Sequence, residues 1–107
     1  SNYKNKSTSV IFQPHLFSRT RDFMEEFAKV LSKFDEVYLL EIYPAREKPI
    51  KGVNSRVLLE KISSVKKEII NKELINDIII NSKTEVISIL GAGNITENLN
   101  KKIFTND

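Results

Sequence analysis

Three short stretches carry most of the residues able to do chemistry. In Gln13-Pro14-His15-Leu16-Phe17-Ser18-Arg19-Thr20-Arg21, an imidazole precedes two guanidinium groups by a few residues. The imidazole can donate or accept a proton, and each guanidinium offers a planar fork of donors to a carboxylate or phosphate. If a helix starts here, free amides at its N-terminus would add to the attraction for an anion. The plainer alternative is a hydrogen-bonding loop histidine with solvated arginines. A second stretch, Glu41-Ile42-Tyr43-Pro44-Ala45-Arg46-Glu47-Lys48-Pro49-Ile50, mixes a phenol with charges of both signs. Glu41 and Glu47 could meet an ammonium group or a hydrated cation, but two carboxylates make a poor metal set, and a surface ion-pair cluster is the commoner outcome. The third, Gly91-Ala92-Gly93-Asn94-Ile95-Thr96, has G-x-G but Thr96 where a dinucleotide-binding turn needs its last glycine. A tight turn explains it as well, and the chain contains no glycine-rich Lys-Ser or Lys-Thr phosphate loop.

The elements that must hold these stretches follow from hydrophobic period and turn chemistry. Residues 8–12 form a β-rich run stopped by Gln13-Pro14, because proline cannot donate to a sheet ladder. From Thr20, apolar Phe23, Phe27, Val30, Leu31 and Phe34 recur at helical offsets, with Ser18 or Thr20 as candidate caps. Asp22, Glu25 and Glu26 precede Lys29 and Lys33, an order that suits the helix dipole. Residues 36–42 read as a strand whose near-continuous apolar centre fits a sheet buried on both faces. Pro44, Pro49 and Gly52 mark a loop, and Asn54 or Ser55 caps a short helix burying Val57, Leu58 and Ile62. A small strand over residues 65–69, a helix over 72–81, a strand over 85–90 and a helical stretch over 96–103 complete the chain. Alternating strands and helices imply one three-layer α/β domain, Rossmann-like, with a mostly parallel sheet flanked by helices. In such a sheet the loops beyond the strands' C-terminal ends gather at one edge, so all three stretches should open together, with His15, Arg19 and Tyr43 approaching one another.

Composition sets the outer bounds. The 107 residues suffice for one core; 40% are hydrophobic and 29% charged, as in globular domains. No apolar run approaches the ~20 residues of a membrane span, and no secretion signal is recognisable. With no cysteine there is neither a disulfide framework nor a thiolate metal site, and a reducing compartment, the cytoplasm, is expected. Seventeen basic against 14 acidic residues give +3, spread along the chain in the manner of a solvated surface rather than a nucleic-acid footprint. A noncatalytic α/β interaction module using Lys66, Lys67, Lys72, Lys101 and Lys102 on an acidic peptide or nucleic acid is the competing class.

Taken in order, Phe12-Gln13-Pro14-His15 with Ser18-Arg19-Thr20, Tyr43-Pro44-Ala45-Arg46-Glu47-Lys48-Pro49-Ile50-Lys51-Gly52-Val53, and Gly91-Ala92-Gly93-Asn94-Ile95 resemble the C-terminal domain of the UDP-N-acetylmuramate:L-alanine ligases, over residues 8–95. The resemblance implies a cytoplasmic, three-domain, ATP- and Mg2+-dependent enzyme of peptidoglycan synthesis. Its N-terminal domain would hold UDP-N-acetylmuramate, its central P-loop domain ATP, and its C-terminal domain L-alanine, closing over the ATP site. It also implies that His15, Arg19 and Tyr43 bind L-alanine, with Arg21, Arg46 and Glu47 in support; it assigns no catalytic residue and no metal ligand. An arginine often follows the histidine of this motif, where the present chain has Leu16, and Arg21 is the candidate replacement. The family's domain starts earlier, so the chain is expected to be truncated on its N-terminal side and inactive in isolation. Another Mur-type ligase, adding a different amino acid or a peptide, is the nearest alternative.

Overall fold

A computed structural model describes residues 6–91. Strands β1 (Thr8–Gln13), β2 (Glu36–Leu39), β3 (Lys66–Ile69) and β4 (Val86–Gly91) form one sheet in the order β3-β2-β1-β4, and every pairing is parallel. Parallel neighbours need crossover connections. Helices α1 (Phe17–Asp22) and α2 (Met24–Leu31) link β1 to β2, and α3 (Ser55–Glu60) links β2 to β3. A 3-10 turn (Lys72–Leu74) running into α4 (Ile75–Asn81) links β3 to β4. The chain thus winds outward from β1 through β2 to β3, then returns to the other side of β1.

Alternation along the strands divides the core into two layers. Val10, Phe12, Val37, Leu39 and Leu90 meet Phe27 and Leu31 of α2 and Leu58 and Leu59 of α3 on one face. Ile11, Tyr38, Leu40 and Ile70 meet Ile75, Ile78 and Ile79 on the other. That two-sided burial is why β1 and β2 carry apolar runs instead of an apolar-polar alternation. The rings of Phe12 and Phe27 meet edge-on at 5.4 Å, and full burial of each contributes about 1.5–3 kcal/mol. The sheet is therefore covered by helices on both faces, the three-layer arrangement expected.

Several boundaries differ from expectation for identifiable reasons. The helix expected from Thr20 begins at Phe17 and is interrupted at Phe23 (φ −116°, ψ 20°). Neither Ser18 nor Thr20 caps it: Thr20 Oγ1 donates back to the carbonyl of Leu16 at 2.8 Å, and Ser18 turns to Glu47. Phe23 is exposed and leans on Phe27, with ring centroids 6.0 Å apart, while Phe34 is buried beyond the helix end. Asp22 closes α1 instead of opening the helix, leaving Glu25 and Glu26 in the first turn of α2. Asn54 does cap α3, accepting from the N–H of Val57 at 2.9 Å. Strand β2 ends at Leu39, although the N–H of Leu40 still donates to the carbonyl of Phe12. Strand β3 begins at Lys66, after a fully exposed Val65. The 72–81 helix opens as a 3-10 turn. The expected helical stretch over 96–103, the loop beyond Gly91, and Lys101 and Lys102 lie outside the described residues. No helix among the described residues is long and apolar enough to cross a membrane.

Candidate functional site

Beyond the last sheet pairing, the chain ends of β1 and β2 remain clamped together. The N–H of Tyr43 donates to the carbonyl of Pro14 at 2.9 Å, and the N–H of Leu16 donates to the carbonyl of Tyr43 at 2.8 Å. This short parallel bridge brings the His15 imidazole onto the Tyr43 ring, with centroids 5.3 Å apart and planes inclined by 14°. Pro14, which has no N–H to donate to a ladder, lies between the end of β1 and this bridge. At Leu16 the backbone turns through φ 75°, ψ 136° and enters α1 at once, which carries Arg19 back over the same edge of the sheet.

His15, Leu16, Arg19 and Tyr43 line one concavity of about 670 Å³ at the C-terminal ends of the strands. Its floor is apolar, from Ile11, Leu40, Ile89 and Leu90, and Gln13 and Gly91 complete that side. Lys72 and Ile75, from the β3–β4 connection, also line it. Among the described residues, Arg19 and Lys72 are its permanently cationic groups, and no carboxylate lines it. Among the described residues neither cation sits in an ion pair. The concavity is therefore electrostatically suited to an anionic group held above an apolar surface. The expectation that His15, Arg19 and Tyr43 converge at this edge agrees with their placement, and the loops after β1 and β2 and the end of β4 reach it.

The other three candidates do not line the concavity. Arg21 pairs with the adjacent Asp22 at 2.9 Å, and Arg46 is exposed on the loop beyond it. Glu47 accepts from the N–H of Ser18 at 2.9 Å and also from the Ser18 hydroxyl. These Ser18 donors, hydroxyl first and amide second, hold its carboxyl below the usual range. One expectation is corrected by this contact: the Ser18 amide at the start of α1 is not free for an outside anion, because Glu47 occupies it. No group of three metal-binding side chains occurs among the described residues. Of the lysines proposed for an interaction face, Lys67 donates to the carbonyl of Ile62 at 2.6 Å and Lys66 lies over the Tyr38 ring. Lys72 was not among the residues expected at this site; its signal was its place just past a strand's C-terminal end.

The comparisons with known proteins bear on the same residues. The chain is 52% identical over 99 residues to a UDP-N-acetylmuramate:L-alanine ligase of Christiangramia forsetii, covering 92% of the chain and 22% of that protein. It is 50% identical over 95 residues to the ligase of the same name from Flavobacterium psychrophilum, covering 89% of the chain and 21% of that protein. Over about nine-tenths of its length the chain is thus similar to UDP-N-acetylmuramate:L-alanine ligases. A third relative, from Parabacteroides distasonis, is 48% identical over 93 residues, 87% of the chain and 20% of its own length. No family model matches the chain. The chain spans about a fifth of the length of these ligases. Of the motifs that resemble the ligase family, the first two lie at the ends of β1 and β2, at the edge that bears the concavity, and Gly91, where the third begins, lines it.

Proposed function

We propose that this chain is the C-terminal, amino-acid-binding part of an ATP-dependent UDP-N-acetylmuramate:L-alanine ligase of cytoplasmic peptidoglycan synthesis. The observation that carries the proposal is the concavity, which combines Arg19, the His15–Tyr43 stack and an apolar lining with no carboxylate among the described residues, in a chain half identical to such ligases. Arg19 pairs with the carboxylate of L-alanine through its guanidinium fork, and His15 orients the substrate by hydrogen bonding. The apolar floor accommodates the methyl group. Held in this way, the amine is presented to an acyl phosphate of the muramoyl carboxylate, which it attacks with loss of phosphate; fixing both partners reduces the entropic part of the barrier.

ATP supplies the phosphoryl group that activates the carboxylate. The present residues do not fit ATP with Mg2+: the sequence holds no phosphate loop, and the carboxylate nearest the helix start, Glu47, is bound to Ser18. ATP, Mg2+ and UDP-N-acetylmuramate therefore belong to other parts of the full-length polypeptide, and the isolated chain performs no ligation.

The test is alanine ligation by the full-length enzyme, comparing Arg19→Ala with wild type. Loss of one charge-assisted hydrogen-bonded contact at an exposed side chain, about 1.5 kcal/mol at the lower end of its range, raises the KM for L-alanine by about tenfold. An unchanged KM for L-alanine rejects the role of Arg19. A preference for another amino acid or a peptide would move the chain to a different Mur-type ligase.

A further inference from the structure

Leu16 is the strained point of the site. Its φ of 75° with ψ of 136° lies in a backbone region essentially reserved for glycine, because a Cβ crowds the neighbouring peptide groups there. The conformation is held from both sides. The N–H of Leu16 donates to the carbonyl of Tyr43 at 2.8 Å. Its carbonyl accepts from the N–H of Thr20 at 3.1 Å and from the Thr20 hydroxyl at 2.8 Å. Thr20 is fully buried, and one residue beyond Leu16 the helix start is pinned by the bonds from Ser18 to Glu47. Between His15, stacked on Tyr43, and Phe17, the first residue of α1, the chain has one residue in which to turn. That turn makes His15 and Arg19 face the same concavity.

We propose that Leu16 is a positioning residue: its strained backbone holds the His15 imidazole and the Arg19 guanidinium in a set relation across the concavity before substrate arrives. The inference rests on the amino-acid-binding reading of that concavity. Preorganisation of this kind removes an ordering cost that a looser turn would meet on binding. The Leu16 side chain also lines the wall, so its truncation alone would not separate backbone from contact.

The pair Leu16→Ala and Leu16→Gly makes that separation. Both lack the isobutyl group, and only the alanine keeps a Cβ at positive φ. The test uses the full-length ligase, with thermal unfolding and alanine-dependent kinetics measured on each variant. Relief of strain outweighs the greater unfolded-state freedom of glycine, so Leu16→Gly melts about 2–4 °C above Leu16→Ala. Its KM for L-alanine is nonetheless about threefold to tenfold higher than that of Leu16→Ala, with kcat little changed. A turn with a merely structural role would move the melting temperature and leave KM alone. Equal KM values for the two variants, or no gain in melting temperature with glycine, overturn the proposal. If Arg19→Ala raises KM while the Leu16 pair does not differ, the positioning role alone fails. If Arg19→Ala leaves KM unchanged, the binding site itself fails and the positioning role with it.

Discussion

Replacement of Thr20 by valine isolates the hydrogen bond that anchors the turn into α1. Thr20 is fully buried, and its hydroxyl donates to the carbonyl of Leu16 at 2.8 Å while its own N–H reaches the same oxygen at 3.1 Å. Valine keeps the side-chain volume, so no cavity forms, and the two residues differ little in helix propensity. The Leu16 carbonyl retains one donor, which avoids the full penalty of an unsatisfied buried acceptor. The net loss is then that of one neutral hydrogen bond, about 1 kcal/mol. For a domain of this size that corresponds to a fall of about 4–8 °C in melting temperature. Circular dichroism melts of wild type, Thr20→Val and Thr20→Ser provide the measurement, since serine keeps the donor and loses only the methyl group. In the full-length ligase, Thr20→Val also raises the KM for L-alanine more than Thr20→Ser does, because only valine frees the turn. A valine variant as stable as wild type with an unchanged KM would show that the hydroxyl anchors nothing.

Two further outcomes follow from the charges around the site. The Ser18 hydroxyl and amide hold the Glu47 carboxyl below its ordinary value of 4.5, so its stabilising effect is complete above that value and is lost as pH falls through the lower folded one. Glu47→Gln should remove this acid-sensitive component, giving a melting temperature that declines less than wild type below about pH 4.5; parallel pH profiles would refute it. Lys72→Met should raise the KM for L-alanine by about twofold to fourfold at low ionic strength, the size of one exposed charge a few ångströms from an anion in water. The effect should shrink with added salt and be restored by Lys72→Arg. A KM insensitive to the substitution at low salt would remove Lys72 from the site.

The parts of the fold that were legible in the chain are those held by local or strongly periodic signals. The apolar runs of β1 and β2, the α2 face carrying Phe27 and Leu31, and the Asn54 cap each depend on residues close in sequence. The start of α1 was not legible, because Phe17-Ser18-Arg19 contains no cap of its own and takes one from Glu47, 29 residues from Ser18. Strand β3 was a weak signal because Lys66-Lys67-Glu68 is charged. It borders the sheet beside β2 alone among the described residues, where an exposed edge tolerates polar side chains. At the site, the order of the motifs pointed to His15, Arg19 and Tyr43, which line one concavity, whereas Arg21 and Arg46 do not line it. Lys72, read in the sequence as part of an alternative interaction face, lines the concavity too, a placement that depends on how the β3–β4 connection packs.

Hydrophobic period and proline position already specify an α/β chain whose loops meet at one edge of a parallel sheet, and the three motifs in their order carry the resemblance to the ligase family. These are properties of neighbouring residues, which local sterics and burial enforce wherever the chain runs. The capping of α1 by Glu47, the pairing of His15 with Tyr43, the arrival of Lys72 at the concavity and the positive φ of Leu16 belong to the tertiary structure. Each joins segments distant in sequence or is imposed on one residue by such segments. The chemistry of Leu16 favours ordinary backbone angles, and it leaves them where Tyr43 and Thr20 together hold its peptide groups.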